Sequence, residues 1–305
     1  MPAVPTSQNA RAILAITLAI FMFSLSDAAS KALVGHYSVV QIIFLRATLS
    51  IILIGVWVLR SGGPRRLATK RPMMHVLRVI IGVSEVSLFY LALRTVPLAD
   101  ATAVYYAAPL ISTALSVPFL GERVGPRRWA AIGLGFAGMI LIAHPGSGAI
   151  SPGIILVLFA VVLYALAMIL NRLLSRTENT LSLVFYMLLG DIVVMGTLLP
   201  GYWTPPSVRD LAWMMGLGII TTGAHFSLVY AYSRAPVAVV SPFDYTALFW
   251  ATVFGYVFWG DIPTLGVWIG ALLVVAAGVY VVYREGKTQR AQAALKTARV
   301  HDHHE

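Results

Sequence analysis

Phe119-Leu120-Gly121-Glu122-Arg123-Val124-Gly125, followed by Arg127-Arg128-Trp129, returns later in the chain as Phe258-Trp259-Gly260-Asp261 and Trp268. Gly121-Glu122 stand 139 positions before Gly260-Asp261, and Trp129 stands 139 before Trp268. At the same offset Pro97 recurs as Pro236 and Tyr106 as Tyr245. Between these landmarks the chain is almost wholly apolar. A duplicated hydrophobic unit of this length is the mark of a membrane transporter built from two repeats.

Composition agrees. Of 305 residues, 59% are hydrophobic and only 11% are charged, whereas a soluble domain carries about 25% charged residues. Lipid must replace water over most of the exterior. There is no cysteine, which excludes disulfides, thiolate metal sites and cysteine nucleophiles. A net charge of +10 would suggest nucleic acid in a soluble protein. Here the basic residues sit between apolar runs, as in cytoplasmic loops, and no nucleic-acid partner is read.

Runs of roughly 20 residues, the length that crosses a bilayer, fall at 12–33, 38–60, 74–93, 100–120, 127–144, 152–171, 181–200, 210–232, 238–259 and 263–283. All are read as helices, since an open sheet edge cannot be satisfied in lipid and the runs are too continuous for barrel strands. Arg11 and the run after it resemble a signal peptide, but the run continues to Val34. Placing the N-terminus in the cytoplasm puts every Lys and Arg inside except Lys31, Arg46, Arg94 and Arg209. Both termini are therefore predicted inside. Five spans per half is an odd number, so the halves enter from opposite faces and the repeats are inverted. The expected fold is an all-α polytopic membrane protein of ten transmembrane helices. Its units are 1–11, 12–144, a linker at 145–151, 152–283, and a basic tail at 284–305.

The stretch from Pro109-Leu110 through Gly121-Glu122 to Trp129 and Gly133–Gly138, with its second copy ending at Gly278, resembles the end of an EamA repeat of the drug/metabolite transporter superfamily. Ala99-Asp100-Ala101-Thr102 and Pro242-Phe243-Asp244-Tyr245-Thr246 match the same style. The resemblance covers about residues 12–283. It implies a ten-helix transporter of small organic metabolites in a bacterial inner (plasma) membrane. It also implies a central cavity lined mainly by the first, third, fourth, sixth, eighth and ninth spans. The pattern of Asp27, Lys31, Phe44-Leu45-Arg46 and Asp244 looks closest to a bacterial subgroup that includes riboflavin and S-adenosylmethionine importers. Import and export both remain open.

Ionisable groups within spans are the informative exceptions, because each costs at least about 2.5 kcal/mol at mid-membrane. Asp27 lies roughly 9 Å deep, and Arg46 and Glu85 roughly 12 Å, by the helical rise. These depths predict Arg46 as an internal cation held between Asp27 and Glu85. The pair is either a structural fixture or a substrate contact, with Glu85 the better proton carrier. Lys31, near a helix end, is expected to snorkel outward. Asp191, midway along span seven, is expected to make a polar contact with a neighbouring helix. His225 and Asp244 lie at one level, roughly 9–11 Å from the other face, and are read as a histidine–carboxylate pair. Zinc lacks a third ligand nearby in sequence. Tyr90, Tyr105, Tyr106, Tyr164 and Tyr245 are candidates for stacking on a planar substrate; Pro109 and Pro242 should break their spans beside a cavity. Gly133, Gly135, Gly138, Gly266, Gly270 and Gly278 permit close helix packing, within the repeat or in a homodimer. Monomer and homodimer both fit.

No phosphate-binding loop occurs and no cofactor is called for, so energy must come from a gradient, protons included. A membrane enzyme would need catalytic groups clustered on one face. A channel would need a ring of like groups around a pore. Neither pattern is present, and no enzymatic activity is expected.

Overall fold

Proline and small hydroxyl or amide side chains open the helices. Pro72 and Pro152 occupy first-turn positions, where the missing N–H costs nothing. Ser151, Asn179 and Ser207 accept the N–H of Ile154, Ser182 and Asp210 at 3.3, 2.8 and 3.0 Å, closing orphan donors of the first turn. At the other ends Gly121 and Gly260 adopt left-handed backbone, φ 67° and 69°, which only glycine takes without strain. The two positions are the repeat landmarks, so the duplication extends to backbone conformation.

In this computed structural model the described residues are 6–60, 63–122, 124–143, 151–175 and 177–302. Arg123, Arg176, most of the 145–151 linker and the ends of the chain lie outside them. The helices are α1 (Thr6–Val34), α2 (Val39–Arg60), α3 (Pro72–Ala92), α4 (Leu98–Tyr105), α5 (Ala108–Leu120), α6 (Pro126–Ala143), α7 (Pro152–Leu174), α8 (Thr180–Tyr202), α9 (Val208–Arg234), α10 (Val237–Val240), α11 (Thr246–Trp259) and α12 (Leu265–Asp302). Short 3-10 turns cover Pro64–Leu67 and Ser241–Tyr245. Eight helical stretches are long and apolar enough to cross a bilayer. The other two spans are α6 and the broken run from α10 to α11. The chain is thus an all-α polytopic membrane protein with ten spans in two inverted sets of five. α12 runs on to Asp302, well beyond the span expected to end at 283.

The fourth and ninth spans are both interrupted, at Tyr106-Ala107 and at Ser241–Tyr245. Pro109 and Pro242 stand in the first turn of the segment that follows each break or forms it. A proline there cannot extend the preceding ladder of hydrogen bonds. The interruptions fall 139 residues apart at Tyr106 and Tyr245.

Packing crosses the repeats. α1 lies on α9 as α7 lies on α3; α11 lies on α1 as α5 lies on α7; α2 pairs with α8 and α6 with α12. Exchanging the repeats maps this set of contacts onto itself, as a two-fold axis in the membrane plane requires. Gly138 and Gly270 show why α6 and α12 can approach so closely. A Cβ on either would fall 2.7 or 2.6 Å from the other's carbonyl oxygen. These two glycines therefore serve contact between repeats, while Gly135 packs on Leu110 and Gly278 on Tyr245 inside their own repeats. The largest buried cluster joins both halves, from Ile42 and Tyr90 to Val157 and Leu217. Large apolar side chains such as Leu59, Ile140, Phe249 and Leu272 point outward, onto lipid rather than water.

Candidate functional site

Glu85 on α3 takes a hydrogen bond of 2.6 Å from the hydroxyl of Tyr105, the last residue of α4. The helix break after Tyr105 turns its ring inward. Tyr164 of α7 stacks on that ring, centroids 4.8 Å apart and planes 29° apart, and Phe89 closes the other side at 4.9 Å. Tyr164 keeps 37% of its surface open. Two repeats supply this group: α3 and α4 from the first, α7 from the second.

Arg46 on α2 stands next to it. Its Nη1 donates to the Tyr90 hydroxyl at 2.7 Å, and its Nη2 lies 3.8 Å from Asp191 Oδ2 on α8. Asp27 and Glu85 share its electrostatic field, yet among the described residues its ion pair is with Asp191 alone. The sandwich of Arg46 between Asp27 and Glu85 is therefore corrected. α2 packs on α8, which brings the guanidinium to Asp191. The polar contact expected of Asp191 is this one. Asp191 Oδ1 is buried without a hydrogen-bond partner.

The second half contributes a matching group. Asp244, in the 3-10 turn of span nine, accepts the Tyr232 hydroxyl at 2.6 Å. Tyr106 and Tyr245, equivalent across the repeats, face each other at 5.5 Å. The Tyr245 hydroxyl is buried without a hydrogen-bond partner. His225 does not pair with Asp244, which corrects that expectation. Its Nδ1 lies 2.7 Å from Thr221 O on its own helix, and its ring meets the Phe23 ring edge-on. Asp244 reaches α9 at Tyr232, seven residues on, or about 10 Å along the axis. Equal depth was correct for neither partner's orientation.

Tyr164 interacts electrostatically with both Glu85 and Asp244, and Tyr106 with Asp244, Tyr164 and Asp27. The two groups thus lie within electrostatic reach of each other across the repeats. Asp27, Glu85, Asp191 and Asp244 surround them, with Arg46 engaged by Asp191 and Arg78 also within the field of Asp191. Two recesses of about 420 and 360 Å³ lie elsewhere, at the end of the bundle that holds the α1–α2 turn. The first runs between α1, α9 and α11 past Ala28, Tyr37 and Trp213; the second covers Lys31, Arg94 and Asp261.

Sequence reasoning singled out neither Tyr232 nor Phe89, and it misread Lys31. Lys31 does not snorkel: only 10% of its side chain is exposed, and its ammonium donates to Val96 O at 2.6 Å. Its proximity to a helix end was read correctly, but Asp261 from the other repeat meets it there, 3.8 Å away.

The profile of the EamA-like transporter family matches residues 10–144 and again residues 151–284. The chain belongs to the EamA-like transporter family. It is similar to an S-adenosylmethionine uptake transporter of Rickettsia prowazekii, 27% identical over 271 residues, covering 89% of this chain and 92% of the relative. It is also similar to a riboflavin transporter of Rhizobium johnstonii, 29% identical over 77% of this chain and 78% of that one. A pseudopaline exporter of Pseudomonas aeruginosa is 25% identical over 87% and 93%. A crystal structure 20% identical in sequence aligns over 90% of this chain and 98% of its own, with TM-score 0.62, and shares the fold. The protein is thus a multi-pass membrane transporter of small metabolites and not an enzyme.

Proposed function

We propose that this EamA transporter moves its substrate by alternating access, through the chamber between the repeats. The stacked pair of Tyr105 and Tyr164, hydrogen-bonded to Glu85, is the observation that carries the reading. It offers a flat aromatic face 37% open at Tyr164 beside a carboxylate. A substrate with a planar ring and a polar or cationic group fits such a surface. Asp27 and Asp244 extend the acidic lining, while Tyr90, Tyr106, Tyr245 and His225 complete the walls. Arg46 is an internal structural cation, because Asp191 and Tyr90 already occupy it.

Glu85 carries the coupling proton. Uptake is the favoured direction, supported by the relative named as an uptake transporter. Export is the second reading, supported by the relative named as an exporter. The units are 12–144 and 152–283, joined by 145–151, with both termini in the cytoplasm of a bacterial cell and the α1–α2 turn outside. A monomer suffices, since Gly135, Gly138, Gly266, Gly270 and Gly278 find their partners within one chain.

A panel of flavins, S-adenosyl compounds, aromatic amino acids and nucleosides, tested for thermal stabilisation of the purified protein, checks the substrate class. Ligands with a planar ring should stabilise it, and Tyr164→Ala should weaken them roughly two- to twelvefold, the worth of one aromatic contact. Equal stabilisation by ring-free solutes would sink the proposal.

A further inference from the structure

Among the ion pairs that cross the repeat interface, two join equivalent parts of the repeats, one at each end of the bundle. Lys31, three residues before the end of α1, meets Asp261 in the turn after α11. Arg172, two residues before the end of α7, meets Glu122 in the turn after α5, Nη2 to Oε1 at 2.6 Å. α1 and α7 are the opening helices of the two repeats. Glu122 and Asp261 are equivalent at the 139-residue offset, each following a left-handed glycine. The cations sit two register positions apart on equivalent helices. Each pair thus joins the first helix of one repeat to the fourth-to-fifth turn of the other, and the pseudo-two-fold exchanges them.

The two pairs are not equally held. Lys31 and Asp261 expose 10% and 31% of their side chains, against 45% and 33% for Arg172 and Glu122. The Lys31 ammonium also bonds Val96 O, lies 5.2 Å over the Trp259 ring, and feels Asp100. It lines the recess of about 360 Å³ together with Arg94, Pro97, Trp259 and Asp261. A pair within a recess, tying the two bodies that must part for that end to open, is placed as a gate.

We propose that Lys31–Asp261 and Arg172–Glu122 are the two latches of the transport cycle, each closing one end of the central chamber, with the Lys31 latch the stronger. The inference rests on the alternating-access reading above. Opening either end must break its pair, because α1 belongs to the first repeat and Asp261 to the second, while α7 belongs to the second and Glu122 to the first. The stronger latch holds the α1–α2 end shut in the absence of substrate. Its carboxylates hydrate when the ammonium leaves, which lowers the cost of opening.

The native chain has no cysteine, so paired spin labels can be placed by two substitutions alone. Labels at Arg94→Cys and Arg209→Cys report the α1–α2 end, and labels at Arg127→Cys and Ser175→Cys report the opposite end. All four positions are exposed, and each pair spans the repeats. Lys31→Met should raise the long-distance population at the first end roughly tenfold or more relative to the short one, as loss of a partly buried ion pair allows. Glu122→Gln should do so at the second end by roughly two- to fivefold, the scale of an exposed pair. The exchange Lys31→Asp with Asp261→Lys should restore the short distance. If Lys31→Met fails to fold, Asp261→Asn removes the same pair from its more exposed side and should give the same opening. Retained substrate counterflow with no change in either distance overturns the latches alone. Absence of counterflow in the native protein overturns alternating access and the latches with it.

Discussion

Glu85 is held in place by one hydroxyl, and its partner tyrosine is held by the stack on Tyr164. That arrangement lets the carboxyl change protonation without a change of backbone. Glu85→Gln keeps the shape and removes the exchangeable proton. Uptake driven by a pH gradient in proteoliposomes should fall to background, while substrate counterflow, which needs no net proton movement, should persist. Unchanged pH-driven uptake would remove Glu85 from the coupling step. Arg46 carries a different expectation. Arg46→Met leaves Asp191 buried without its cation, a loss of about 3–5 kcal/mol for a broken buried pair. Arg46→Met combined with Asp191→Leu should recover most of that stability, because an apolar pair of similar size replaces the ion pair. Thermal unfolding in detergent measures both. A chamber in which Arg46 binds substrate predicts instead that the double variant folds but no longer binds. Residue counting along helices puts Asp27, Arg46 and Glu85 near one level. It does not say which carboxylate Arg46 would choose, because that depends on the rotation of α2 against α8.

At the scale of elements, the loop before α3 shows how a segment between spans is fixed. Glu178, in the turn between α7 and α8, accepts the Thr69 hydroxyl and the Lys70 N–H, both at 3.0 Å. Asn179 and Ser182 donate to Arg66 O, and Tyr186 donates to Leu67 O. The most basic loop of the chain is thereby pinned to the other repeat. Burial works against the Glu178 carboxylate, but the Lys70 N–H, the Thr69 hydroxyl and nearby His75 and Arg71 outweigh it and hold its carboxyl below the usual 4.5. A depressed folded value means that the ionised group stabilises the fold above pH 4.5, and that this contribution disappears as pH falls through the lower folded value. The melting temperature of the native protein should therefore drop over that acid range, and the drop should be smaller in Glu178→Gln. Equal acid sensitivity in the two would show that the docking does not depend on this charge. Sequence reading placed this loop by its arginines and lysines alone. Its acidic anchor lies more than a hundred residues away, and only packing brings the two together.

For the whole molecule, ten spans require both termini on one face. Impermeant labels attached to single cysteines near residues 8 and 290 should react only after the inner face is exposed, in intact cells compared with inverted vesicles. Reaction from opposite faces would demand an odd number of crossings and end the inverted-repeat description. What the chain determined by itself is the set of quantities that depend on distance along one helix or on local backbone. These are the number of spans, the 139-residue duplication, the glycine turns at Gly121 and Gly260, and the breaks near Pro109 and Pro242. What only the tertiary structure decided is which way each helix is turned about its axis. Most spans are apolar nearly all round, because lipid accepts any apolar face, so periodicity carries little information on rotation. Rotation chose Asp191 for Arg46 and Asp261 for Lys31 across the repeats, Tyr232 for Asp244 within one repeat, and turned His225 onto Thr221 of its own helix.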